Sequence, residues 1–129
     1  MSFVVNEKQI ETIALPGRDL KWLVTPEMHQ SDCLSFNVVN IQPGNTVKPA
    51  HSHKNHEELV YILSGSGKAF IDGTVFDIEA GSALLFSAGS IHMLRNSGTV
   101  DMKVACFFTP AATLTDYTFH EEIEFPELK

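Results

Sequence analysis

The stretch "ELVYILSGSGKAFIDGTVF", residues 58 to 76, sets short apolar runs between glycine turns. Asp72-Gly73 stands between two of these runs, which is the strongest short-range signal for a β-hairpin. Outward from it, "CLSFNVVNI" (33 to 41), "ALLF" (83 to 86) and "DMKVACFF" (101 to 108) repeat apolar residues with the period of two that marks a strand. Turn signals separate them at Pro43-Gly44-Asn45, Ala80-Gly81, Ala88-Gly89 and Asn96-Ser97-Gly98. No window supports a helix of three turns. Many short strands joined by glycine turns predict an all-β antiparallel sandwich or barrel.

The chain has 129 residues, which one domain accommodates. Residues 1 to 129 are therefore expected to form a single domain, with 1 to 16 and 112 to 129 as terminal arms. Each arm is expected to pair with a partner subunit, to lie as a strand along the outside of the barrel, or to be loosely held. A net charge of −7 repels a phosphate backbone and an anionic membrane surface, so neither direct nucleic-acid binding nor membrane association is expected. Cys33 and Cys106 are far apart, each in an apolar stretch, and read as buried thiols. The start "MSFVVNEKQI" has no basic region before its short apolar run, and no run reaches the length of a membrane span. A reducing, cytoplasmic location is expected.

Three of the six histidines crowd into "PAHSHKNHEEL", residues 49 to 59. On an extended backbone His51 and His53 point to the same face, with Cα atoms roughly 6–7 Å apart. Two imidazoles at that spacing can converge on one metal ion at about 2.0–2.2 Å. A turn through Lys54 and Asn55 returns the chain alongside them, so that either Glu57 or Glu58 faces the same way. Glu58 shares a face with Val60 and Ile62, while Leu59, Tyr61 and Leu63 share the other. Both faces are apolar, as in a strand covered on both sides, and the pattern leaves open which is inner.

The segment Gly44, His51-Ser52-His53, Glu58, Gly65 resembles the first motif of the cupin family, and Gly81, Ser87, Gly89, His92, Asn96 resembles the second. Four residues separate His53 from Glu58 and six separate Glu58 from Gly65, the family's spacing, which selects Glu58 over Glu57. Two positions depart from the pattern. Gly44 stands six residues before His51 instead of five, and Ser87 replaces a proline. Both affect turns and neither removes a ligand. The resemblance spans 44 to 65 and 81 to 96. It implies a double-stranded β-helix, the jelly-roll cupin barrel, with His51, His53, Glu58 and His92 converging inside on one divalent first-row transition metal ion (Mn, Fe, Ni, Cu or Zn).

Four protein ligands leave coordination positions for an oxygen-rich small molecule. The resemblance therefore implies a small metalloenzyme of dioxygenase, isomerase or lyase type, and a homodimer formed by strand exchange or sheet packing. The alternative is a binding module that senses a metal or small ligand without turnover; an empty structural barrel would waste the buried polar ligands. No catalytic acid, base or nucleophile is assigned. Arg18, Lys48, Lys68 and Arg95 are scattered and suggest no phosphate cradle. His56 and Glu57 read as solvated turn residues, His29 and His120 as surface, and Asn96 as equally suited to a structural or a substrate contact. Phe36, Phe70, Phe86, Phe107 and Phe108 read as core.

Overall fold

The computed structural model describes residues 2–29 and 31–126. Eleven strands dominate: β1 (Ile13–Leu15), β2 (Arg18–Val24), β3 (Ser35–Ile41), β4 (Ala50–Ser52), β5 (Glu57–Ser64), β6 (Ser66–Ile71), β7 (Thr74–Glu79), β8 (Ala83–Phe86), β9 (His92–Arg95), β10 (Met102–Thr109) and β11 (Thr118–His120). They form two antiparallel sheets, one in the order β1-β2-β3-β10-β5-β8 and the other β11-β4-β9-β6-β7. This is the double-stranded β-helix expected from the sequence. The single α-helix described is one turn, Pro26–His29.

The hairpin at Asp72-Gly73 joins β6 to β7, with φ of 47° and 92° at its two central residues. Two consecutive positive φ values match the strand twist, which is why Asp-Gly suits the position. Gly65, the last glycine of the first motif, is required for two reasons. Its φ is +85°, and a Cβ there would lie 2.7 Å from the Asp101 carbonyl oxygen. Around Ser87 the motif's turn survives without proline: Ser90 N–H donates to Ser87 O at 2.9 Å, and Gly89 supplies the positive φ of 83°.

The inner faces carry the core. On β5, Val60 and Ile62 are fully buried beside Glu58, whereas Leu59, Tyr61 and Leu63 are 43%, 44% and 47% exposed. The strand is thus covered on one face, and the side shared with Glu58 is the inner one. Ile41, Met102, Val104, Phe86 and Phe108 complete this cluster. Burial on that scale, at about 25 cal/mol per Å² of apolar surface, is the main force holding the sheets together.

Two expectations are corrected, for Phe36 with Phe107 and for Cys33. Phe36 and Phe107 lie on the outer face, their rings tilted at 33° with centroids 4.5 Å apart on neighbouring β3 and β10, and Phe107 is 39% exposed. Phe70, Phe86 and Phe108 are buried as expected. Cys33 is exposed in the bend before β3, while Cys106 on β10 is buried; both are free thiols. The C-terminal arm lies on its own barrel: β11 pairs with β4, setting Phe119 opposite His51. No described helix is long and apolar enough to cross a membrane.

Candidate metal centre

The ligand positions follow from strand register. His51 on β4 is paired directly with His92 on β9, so the two rings share one side of the smaller sheet, 4.4 Å apart. Glu58 enters from the other sheet, on the inner side of β5. His53 sits just after β4, where its carbonyl accepts from Gly89 N–H at 2.9 Å and ties the first motif to the second. One donor atom from each of His51, His53, Glu58 and His92 lies within 4.8 Å of all the others, and all four residues are buried. Donors on opposite sides of a metal are about 4.2 Å apart when each bond is about 2.1 Å, so a slight contraction closes the set on one ion.

Hydrogen bonding orients the rings. His51 Nδ1 lies 3.0 Å from Pro49 O, and His92 Nδ1 lies 3.0 Å from Ser90 O. A carbonyl only accepts, so Nδ1 carries the hydrogen in each ring and Nε2 keeps its lone pair for the cluster. Burial, and then the neighbouring His92, hold His51 well below its ordinary pKa, so its ring is neutral. Burial alone would raise the Glu58 carboxyl. His53 and His92 outweigh it and lower the pKa, each with Nε2 3.1 Å from Glu58 Oε1.

Glu58 Oε1, His92 Nε2 and both ring nitrogens of His53 are buried with no hydrogen-bond partner among the described residues. Buried polar atoms left without partners cost about 1–3 kcal/mol each. A divalent cation would satisfy those that face it, and three imidazoles with one carboxylate are a donor set suited to a first-row transition ion. The residues fit such an ion.

The site has walls that the sequence did not reveal. A cavity of about 40 Å³ is lined by His51, Glu58 and His92 together with Arg18, Cys106 and Tyr117. Tyr117 comes from the segment before β11; its ring stacks on His51 at 5.0 Å and meets His53 edge-on at 4.4 Å. Phe86 stacks on His92 at 3.9 Å. Burial, followed by the charge of Glu58, raises both the Tyr117 phenol and the Cys106 thiol, so each keeps its proton. Burial lowers Arg18, opposed by Tyr117, Cys106 and Glu58, and a guanidinium starts so high that it stays charged. Arg18 is visible in the sequence only as one scattered cation, and Tyr117 has no local signal; their meeting is a product of the topology.

The other flagged residues fall outside the cluster. His56 is not a solvated turn residue: its side chain is 12% exposed, and Nδ1 lies 2.8 Å from Pro110 O, tying the turn before β5 to the end of β10. Glu57 is exposed, as expected. His120 is half-buried, with Nε2 3.0 Å from Ser52 Oγ, and is not free surface. The side chain of His29 lies outside the described residues. Asn96 is structural: it is fully buried, its Nδ2 donates to Ile41 O at 2.8 Å and Val100 O at 2.7 Å, and its Oδ1 accepts from Gly98 N–H at 2.9 Å.

Comparison with known proteins places this geometry in context. The polyketide synthase CurC of Streptomyces cyaneus is 28% identical over 109 residues, which is 84% of this chain and 70% of that one. The L-ectoine synthase of Saccharophagus degradans is 35% identical over 81 residues, 61% of this chain; the match spans 58% of that protein, less than two thirds of its length. Among solved structures, a predicted oxalate decarboxylase from Thermotoga maritima superposes with a TM-score of 0.71 at 25% identity, covering 84% of this chain and 99% of that one. The family model described as "Cupin domain" matches residues 37–108, more than half of the chain and the part that bears all four converging donors. That match and the two-sheet barrel agree, and the chain belongs to the cupin family.

Proposed function

We propose that His51, His53, Glu58 and His92 hold one divalent transition metal ion, and that the protein is an enzyme acting on a small oxygen-rich molecule bound beside it. The observation that carries this reading is the convergence of four buried donors with several of their polar atoms unsatisfied. A metal bound there supplies Lewis-acid polarisation of a substrate oxygen, or oxygen chemistry if it is redox-active. The chain's own part is to orient the imidazoles through Pro49 and Ser90, to exclude water with Phe86 and Tyr117, and to present Arg18 to the ligand. Reaction type stays at the level of dioxygenase, isomerase or lyase chemistry, because one fold hosts many reactions.

The test is a panel of hydroxy acids, keto acids and sugars, followed for both binding and product with the metal-loaded and the metal-stripped protein. Metal-dependent product formation supports the enzyme. Affinity without product in any compound overturns it in favour of a binding module.

The reading extends to a homodimer formed by sheet packing. Register aligns Phe36, Phe107, Leu59 and Leu85 in one row across β3, β10, β5 and β8, all on the outer face and the last 60% exposed. A two-fold axis through such a row buries it against its own copy. Leu59→Glu is expected to convert a dimer to a monomer in light scattering; an unchanged mass in the folded variant rejects this face. The two free cysteines suit a reducing compartment such as the cytoplasm.

A further inference from the structure

We infer that the ligand of this cavity is a small carboxylate, its carboxyl group held by the Arg18 guanidinium and the Tyr117 hydroxyl while its other oxygen atoms face the His51–His53–Glu58–His92 cluster. The inference rests on the reading of this cavity as the ligand site, and adds the chemical class of what enters it.

Arg18 carries the argument. Its Nη1 donates to Pro16 O at 3.1 Å and to Lys48 O at 3.0 Å, which uses both hydrogens of that nitrogen. The three donors on Nε and Nη2 are left for the Tyr117 hydroxyl and for a ligand. Among the described residues no carboxylate lies within ion-pair distance of Arg18, although the charge of Glu58 reaches it. The guanidinium is therefore anchored at one end, lines the cavity at the other, and lacks an anionic partner of its own.

Three other cations of the barrel are occupied elsewhere. Lys68 pairs with Asp77, Lys103 pairs with Glu7 at 2.7 Å, and Arg95 donates to Thr46 Oγ1 at 2.8 Å with its guanidinium over the Phe125 ring. Arg18 is the sole Lys or Arg among the residues lining this cavity. One anchored guanidinium offers the planar two-point grip that matches a carboxylate. A phosphate group usually draws several cations, and none are gathered here. Size restricts the enclosed part of the guest to a few atoms, since a cavity of about 40 Å³ holds on the order of three waters.

The test uses the whole protein as purified, with metal content measured on the same samples. Calorimetric titration with glycolate, malonate and succinate is compared with titration by glycolamide, malonamide and succinamide. At least one acid is expected to bind about tenfold or more tighter than its amide, the worth of a charge-assisted hydrogen bond. In Arg18→Gln that preference is expected to shrink to about twofold while metal content is unchanged. A merely structural Arg18 would lower thermal stability and leave the acid-to-amide ratio alone.

Because Arg18 also clamps two backbone carbonyls, Arg18→Met and Tyr117→Phe carry the same test if Arg18→Gln does not fold. Tyr117→Phe keeps the ring on His51 and removes one donor, and a several-fold loss of acid preference is expected. Amides binding as well as acids in the unaltered protein, no acid binding at about 10 mM, or a full preference surviving in these variants each overturns the inference. Arg18-dependent acid binding by a protein that takes up no metal leaves the inference standing and removes the metal reading. Metal retention with no acid preference does the reverse.

Discussion

Replacing His51 and His53 together with alanine is expected to reduce bound transition metal from about one equivalent per chain to background. Loss of even one outer hydrogen bond to a metal ligand typically weakens binding by about 10–100-fold, so removing two of the four ligands goes well beyond that. Elemental analysis of protein purified without an affinity tag or added metal, with the variant alongside, measures it directly. Unaltered metal content in the folded variant would place any ion elsewhere. Failure of the parent to take up Mn, Fe, Ni, Cu or Zn would remove the metal centre altogether. A second readout follows from linkage: metal that binds only the folded state stabilises it, so a chelator should lower the Tm of the parent and leave the variant unaffected.

Asn96→Ala is expected to cost stability without directly touching the cavity. The side chain bridges the end of β3, through Ile41 O, to the loop after β9, through Val100 O and Gly98 N–H. Its removal strands these partners in the interior, where each unsatisfied group costs about 1–3 kcal/mol and local adjustment recovers part. A net loss of roughly 3 kcal/mol is expected, with a fall in Tm on the order of 10 °C for a domain of this size. Asn96→Asp keeps an acceptor for Gly98 but loses both donors, and should be nearly as damaging. A near-unchanged Tm in both variants would show that the hydrogen bonds are replaceable and return Asn96 to consideration as a ligand contact.

The fold was legible where alternation was uninterrupted. "ALLF" coincides with β8, and the runs at 33 to 41, 58 to 63 and 101 to 108 contain or overlap β3, β5 and β10. Strand β2 escaped because its alternation of Asp19 and Lys21 with buried Leu20 and Trp22 lasts only four residues before a bulge beyond Trp22, where adjacent Trp22 and Leu23 are both buried and the period is lost. Strands β4 and β11 are three residues long, too short to show any period, and β9 has adjacent Met93 and Leu94 between His92 and Arg95, which gives no alternation. His51 and His53 were legible as a local pair, whereas Glu58 over Glu57 and the distant His92 came only through the resemblance to the cupin motifs; the inner face of β5 was not legible, since both of its faces are apolar. His56 and His120 were misjudged for a related reason. Each is satisfied by a partner more than fifty positions away, and no local pattern reports that.

The arm that lies along β4 has a bearing on how such a protein changes its business. The four converging donors all fall inside residues 37–108, the stretch common to the family, while Arg18 precedes it and Tyr117 follows it. On the proposed reading the socket and its address label are thus written on separate stretches of chain. Paired strands and ladder register fix the socket, and a slip of one residue would dismantle it. On that same reading the label rests on the flanks, and changes at Arg18 or Tyr117 are expected to alter which guest the cavity takes without moving the four donors.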